Sequence, residues 1–168
     1  MLKTIIKRNG EREPFTPSKL NQWGEWGART LGHQVDWSSV VLETVSVLKG
    51  ECTSRELQLQ LIRTCLDFDT WSYNRMAGRL YATLIRKDIY GRGDVRPTVR
   101  ALHQQLIAQG YMEPLDYSEA EYEAVEQIID HERDFGYAHY QIHTHLTKYA
   151  ISDRVNGRHF ETPQFIYM

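Results

Sequence analysis

Residues 5–19 read Ile5-Ile6-Lys7-Arg8-Asn9-Gly10-Glu11-Arg12-Glu13-Pro14-Phe15-Thr16-Pro17-Ser18-Lys19, an apolar run that passes through Asn-Gly to a Thr-Pro pair. Asn-Gly between two extended segments favours a two-residue hairpin, because both residues tolerate positive φ. The second strand ends on Thr16 and Pro17 at the mouth of a helix. Thr16 suits the N-cap, and Pro17 suits the first turn, where its missing N–H costs nothing. Lys7 then lies on one strand and Lys19 in the first helical turn. Both can point to the positive N-terminal end of the helix, where an anion is favoured. The stretch predicts a polyphosphate site.

Outward from the hairpin, Leu20, Trp23, Gly27 and Leu31 recur at helical spacing, and Gly32 supplies a stop. Asp36 caps a second helix with Val40, Val41, Thr44, Val45 and Leu48 on one face, ending at Gly50. Thr53-Ser54-Arg55-Glu56 is a capping box, in which hydroxyl and carboxylate satisfy opposite orphan N–H groups. It opens a central helix through Leu57, Leu61, Ile62 and Leu66. Asp69 or Thr70 caps a long helix that buries Ala77, Leu80, Tyr81 and Leu84 and stops at Gly91. Arg75, Arg79 and Arg86 share one side of it and read as a solvated face with local ion pairs.

Arg92-Gly93-Asp94-Val95-Arg96-Pro97 has the glycine, charge and proline of a boundary. Beyond it, Thr98–Gln109 reads as a short helix closed by Gly110, and residues 111–117 as a loop. Ser118-Glu119-Ala120-Glu121 is a second capping box, leading a helix on Tyr122, Val125, Ile128 and Ile129. Residues 137–149 read as helical, and 150–161 as a hairpin about Asn156-Gly157. Thr162-Pro163 repeats the helix-start signal, so the chain stops at the opening of an element, an unusual place for a natural domain to end.

The chain has 168 residues and a formal net charge of −2, with pI near 6.4. Such a balance gives no global electrostatic case for nucleic acid or an anionic membrane. No apolar run approaches the ~20 residues of a membrane span, and the N-terminus lacks a signal-peptide core, so a soluble, cytoplasmic protein is expected. Cys52 and Cys65 have neither CxxC nor metal-ligand spacing and read as free, buried thiols. Cys52 precedes a predicted helix, where a thiolate is favoured, but ordinary burial is the expectation.

A nucleotide site would use charge-assisted hydrogen bonds from Lys7 and Lys19 to phosphate oxygens. Lys87 joins them if the long helix packs back on the hairpin. Thr53 and Glu13 offer a hydroxyl and a carboxylate to base or ribose. No Walker-type or dinucleotide glycine pattern is present. His139 and His143, four apart, and nearby His145 lack the further ligands that zinc needs, so core or surface roles are expected. Asp130-His131-Glu132-Arg133-Asp134 reads as a helix-end ion-pair network.

The run Ile6-Lys7-Arg8-Asn9-Gly10, with Glu13, Phe15 and Lys19-Leu20, resembles the opening of an ATP-cone. That is the small regulatory domain at the N-terminus of many ribonucleotide reductase large subunits. Asp116-Tyr117-Ser118-Glu119, Ile129-Asp130-His131-Glu132-Arg133-Asp134, Leu146-Thr147-Lys148-Tyr149 and Glu161-Thr162-Pro163-Gln164-Phe165-Ile166-Tyr167-Met168 resemble the helical segment joining cone to catalytic barrel in class I enzymes. The resemblance covers essentially the whole chain.

It implies a mainly α fold. A small N-terminal β-hairpin would pack on a four-helix cone over 1–92, followed by a helical segment with a short second hairpin over 93–168. It implies an allosteric nucleotide site on Lys7, Glu13, Thr16, Lys19, Thr53 and Lys87, with ATP or dATP as effector, shifting subunit assembly to switch a distant barrel. The barrel of the large subunit and the small radical-generating subunit are the implied partners. The family's redox cysteines and substrate site lie in that barrel, so no catalytic residue, metal or catalytic cofactor is expected in this segment. Three positions depart from the pattern: a hydroxyl at Thr16 where the family carries Asn or Asp-like groups, and Leu57 and Leu84 where related cones place histidines. A degenerate cone with only a structural role is the alternative. A nucleotide-sensing repressor would pair its cone with a cysteine zinc ribbon, whose spacing is absent here.

Overall fold

The computed structural model describes residues 1–91 and 93–168. It is mainly α, as expected, with a three-stranded sheet at the start and a short hairpin near the end. Strand β1 (Leu2–Ile6) pairs antiparallel with β2 (Arg12–Pro14), Ile5 opposite Glu13 and Ile6 opposite Arg12. The connection is longer than the two-residue turn expected from Asn-Gly. Lys7 N donates to Glu11 O at 2.8 Å and Gly10 N to Lys7 O at 3.0 Å, so Lys7 and Glu11 close a three-residue loop. Gly10 has positive φ (+84°) and Asn9 does not, whereas a type I′ turn requires it at both.

The sheet also has a third strand that the sequence reading lacks: β3 (Gly50–Thr53) lies parallel to β1, with Cys52 opposite Ile5 and Thr53 opposite Ile6. Four residues carrying a glycine and a glutamate give too little alternation to announce a strand. Its pairing is made by the helices between, which return the chain to β1.

Helix α1 (Pro17–Ala28) ends before the predicted stop at Gly32, and a 3-10 turn follows at Gly32–Gln34. Thr16 holds the N-cap position without its expected bond; its hydroxyl donates to Pro14 O at 3.4 Å instead. Asp36 caps α2 (Trp37–Val47), accepting from Ser38 N at 3.1 Å and Ser39 N at 3.2 Å. The hydroxyls and amides of those two serines hold its carboxyl down to about 2. α3 (Ser54–Asp67) opens on the predicted capping box. Thr70 rather than Asp69 caps α4 (Trp71–Tyr90); Asp69 itself sits in the left-handed region at φ +48°.

These four helices enclose one apolar cluster around Leu20, Val40, Leu61, Met76, Leu80 and Leu84, each at most 4% exposed. The expected boundary starts on Arg92, which lies outside the described residues. After it come α5 (Val99–Ala108), capped by Thr98, and α6 (Glu119–Ile128), opened by the Ser118–Glu121 capping box. A 3-10 segment covers His131–Gly136. The helix expected over 137–149 is shorter and changes type: α7 (His139–Thr144) runs on as a π turn through Tyr149. β4 (Ser152–Asp153) and β5 (Arg158–His159) form the predicted second hairpin, and α8 (Pro163–Ile166) starts at Thr162-Pro163 as the signal required.

Helix α4 serves both halves of the chain. Leu80 and Leu84 face the four-helix cluster, while Ala82 and Ile85 pack with Ile142 and Leu146. The approach is closest at Gly78, where an added Cβ would lie 2.1 Å from Tyr137 O and 2.8 Å from His139 N. Glycine lets the two backbones touch.

Candidate functional site

Two charge clusters stand on this frame. The first is built by the sheet register. Glu13 sits opposite Ile5 and Thr53 opposite Ile6, while Lys7 directly follows the end of β1. Lys19 enters from the first turn of α1. The Glu13 carboxylate therefore receives two cations: Lys7 Nζ lies 3.2 Å from Oε2, and Lys19 Nζ lies 3.0 and 3.1 Å from the two oxygens. Lys7 also meets Glu11 at 3.3 Å. These bonds hold the Glu13 carboxyl below the usual range, Lys19 contributing most, and raise the Lys7 ammonium through Glu13 first. All of these side chains remain open to solvent: 37% exposed for Lys7, 62% for Lys19 and 26% for Glu13.

The expected packing of α4 against the hairpin is made by Arg8, a residue not singled out from the sequence. Its guanidinium donates to Lys87 O at 3.3 Å and to Asp88 Oδ1 at 2.6 Å. Lys87 is half-buried with Nζ 4.0 Å from the centre of the Trp23 ring. Burial, then repulsion from Arg8, lowers its pKa to about 8. Thr53 reaches the same end of the sheet, but its hydroxyl is engaged: it accepts from Glu56 N at 3.1 Å and donates to Glu56 Oε2 at 2.8 Å. Thr16 stands at the start of α1, its carbonyl accepting from Lys19 N at 3.1 Å and its hydroxyl donating to Pro14 O. Leu84 is fully buried in the four-helix cluster and Leu57 packs against it, so neither supplies a polar contact.

An open groove of about 760 Å³ lies alongside, lined by Trp23, Trp26, Thr83 and Phe135 among others. None of the six predicted nucleotide residues lines it; Trp23 is the shared wall between groove and Lys87.

The second cluster contains one residue misread from the sequence. Arg86, expected on a solvated face, is 4% exposed. Its guanidinium meets Glu132 at 3.3 Å, Asp134 at 3.6 Å and Asp94 at 3.9 Å, donates to His131 O, and lies 4.2 Å from the centre of the Phe135 ring. Arg79 is also withdrawn from water, stacked 4.7 Å over Trp26. Asp134 is fully buried and accepts from Gln164 N in α8 at 3.1 Å. Its burial outweighs the pull of Arg86 and pushes the carboxyl up to about 6. The predicted ion-pair network is thus partly local, through Asp130–Arg133 at 3.7 Å, and partly a link between α4 and the end of the chain.

The histidines divide. His139 stacks with His143 at 6.0 Å and packs on Tyr81, and His145 Nε2 meets the Tyr167 hydroxyl at 2.6 Å. Among the described residues no group of three His, Cys, Asp or Glu side chains is placed to hold a metal. Both cysteines are buried and free, and burial raises both thiols, Cys65 to about 12. No helix among the described residues is long and apolar enough to cross a membrane.

The architecture is that of a mainly α segment with an exposed cation cluster on a small sheet. No family model matches the chain. Among curated proteins it is similar to ribonucleoside-diphosphate reductase alpha subunits. That of Buchnera aphidicola from Acyrthosiphon pisum is 28% identical over 98% of this chain and 22% of the relative. The Escherichia coli and Enterobacteria phage T4 subunits are each 27% identical over the same shares. The chain spans about a fifth of the length of these relatives. The similarity runs along almost the whole chain and is consistent with the N-terminal part of such a subunit that the sequence resembles.

Proposed function

We propose that this chain is a regulatory, ATP-cone-bearing part of a ribonucleoside-diphosphate reductase large subunit, and that the cluster on Glu13 takes the polyphosphate of ATP or dATP. The observation that carries the reading is the convergence of Lys7 and Lys19 on one exposed carboxylate at the start of α1. Exposed ion pairs of this kind contribute little to stability, so their convergence is better explained by a ligand. A phosphate chain offers the ammonium groups more charge than Glu13 does, and releases the Glu13 carboxylate to accept from a sugar hydroxyl or base amine. Lys87, held near 8, gains a proton when an anion arrives. The allosteric step is a shift of subunit assembly, which requires nucleotide to bind two assembly states unequally. Reduction of ribonucleoside diphosphates would then occur in a barrel, with a small radical-generating subunit as partner.

Calorimetric titration of the chain with ATP and with dATP, its fold checked by circular dichroism, tests the proposal. Binding of both is expected, with proton uptake near pH 8. No heat from either nucleotide would sink it.

One observation favours a second reading, a cone kept for packing or assembly. Thr53 is occupied in its capping box, and Leu84 is buried where a base contact is expected. On that reading, neither lysine matters to nucleotide affinity.

A further inference from the structure

Asp88 stands in the last turn of α4, where the helix C-terminus disfavours a carboxylate. Its two partners lie on other elements. Oδ1 accepts from the Arg8 guanidinium at 2.6 Å, and Oδ2 from Arg55 Nε at 3.2 Å. Arg8 follows Lys7 just beyond the end of β1, and Arg55 lies two residues after Thr53 in the first turn of α3. Asp88 itself follows Lys87. One carboxylate, 24% exposed, therefore ties together three elements that carry predicted nucleotide residues. The tie also opposes a repulsion. Arg8 donates to the Lys87 carbonyl at 3.3 Å, and its charge helps to depress the Lys87 amine. Among the described residues Lys87 has no carboxylate partner of its own; it faces the Trp23 ring. Like charges held together are unfavourable by themselves, and an anion between them removes the penalty.

We propose that Asp88 is a positioning residue of the nucleotide site, holding Arg8 and the hairpin on α4 so that Lys7 and Lys87 meet one polyphosphate. The proposal rests on the nucleotide reading of the Glu13 cluster. Asp88 touches no ligand in this role; it acts through Arg8 on the spacing between hairpin and helix. Arg55 completes the clamp by bringing the start of α3, and with it Thr53, to the same carboxylate. An ionised carboxylate has an oxygen for each guanidinium, which an apolar side chain at this position lacks.

Calorimetric titration of the full chain with ATP compares the native protein with Asp88→Ala and Asp88→Glu. Alanine suits a helix and removes a charge that the helix end disfavours, so the fold should persist, as circular dichroism would verify. ATP affinity should fall about tenfold in Asp88→Ala, the loss of one well-placed charged contact, and return in Asp88→Glu. In a Lys87→Ala background, Asp88→Ala should weaken binding no further, because it acts through the placement of Lys87. A second readout needs no nucleotide. The Lys87 side-chain carbon signal in NMR, titrating near pH 8 in the native chain, should move toward the ordinary lysine range in Asp88→Ala, as Arg8 is released, and return in Asp88→Glu. Unchanged ATP affinity in Asp88→Ala, beside a native chain that binds, would overturn the positioning role and leave the nucleotide reading standing. Tighter binding would overturn it equally, making Asp88 a repelling charge. So would an unmoved Lys87 titration, or losses that add in the double substitution. Absence of ATP binding by the native chain would overturn both the role and the reading.

Discussion

The Glu13 cluster and the Arg86–Asp134 cluster use the same chemistry at opposite ends of exposure. Around Glu13, two lysines meet a carboxylate in water, where the Coulomb term is small and screened. Around Arg86, a guanidinium and a carboxylate are both nearly sealed from solvent. There the interaction is strong, and so is the cost of removing either partner. The difference teaches how to read charge in this molecule. A buried pair joins elements, here α4 to the 3-10 segment and α8. An exposed convergence adds little to the fold and is free to serve a ligand.

Arg86→Met should give the largest loss, about 3–5 kcal/mol in urea unfolding, because it leaves Asp134 buried without its cation. A loss below 1 kcal/mol would mean that the pair holds nothing together.

The next effect is on pH dependence. An unfolded Asp titrates near 3.9, and Asp134 in the folded chain near 6. The folded state binds this proton more tightly, so its contribution to stability is complete below the unfolded value and is lost as pH rises through about 6. The complete contribution is about 3 kcal/mol, of which about 2 kcal/mol is lost between pH 4 and 7. Unfolding midpoints from pH 4 to 7 should show that fall in the native chain and not in Asp134→Asn. Parallel curves for the two proteins would remove Asp134 as the cause.

Gly78→Ala tests the contact between α4 and the segment before α7. Alanine favours a helix, but its Cβ would meet the Tyr137 carbonyl oxygen at 2.1 Å. A net loss of about 1–3 kcal/mol is expected, read as a thermal midpoint lower by several degrees. A gain would show that the two backbones separate without penalty. Smallest of all, Lys7→Ala should leave the unfolding midpoint unchanged, as an exposed side chain without a packing role.

The sequence made most helices legible where a side chain closes a local loop: Asp36, the Thr53–Glu56 box and the Ser118–Glu121 box all cap as their spacing requires. Local chemistry also carried Lys7, Glu13 and Lys19 together, since strand register and one helical turn are short-range. It failed where the partner is remote. β3 is a strand only because β1 is there to pair with it, and Arg86 is buried only because Asp134 and Phe135 come to it. Arg8 escaped notice for the same reason, as its partner Asp88 lies at the far end of α4. Thr53 shows a subtler limit: one hydroxyl was assigned both to a cap and to a ligand, and in the structure it makes the bonds of the cap.

The central claim is that the Glu13 cluster exists for a ligand and not for the fold. ATP affinity of Lys19→Ala, measured beside its unfolding curve, tests this most directly. The account predicts binding weakened at least about tenfold, the worth of one charge-assisted contact, with an unchanged unfolding midpoint. Unchanged ATP affinity, or a loss of stability in its place, would contradict it.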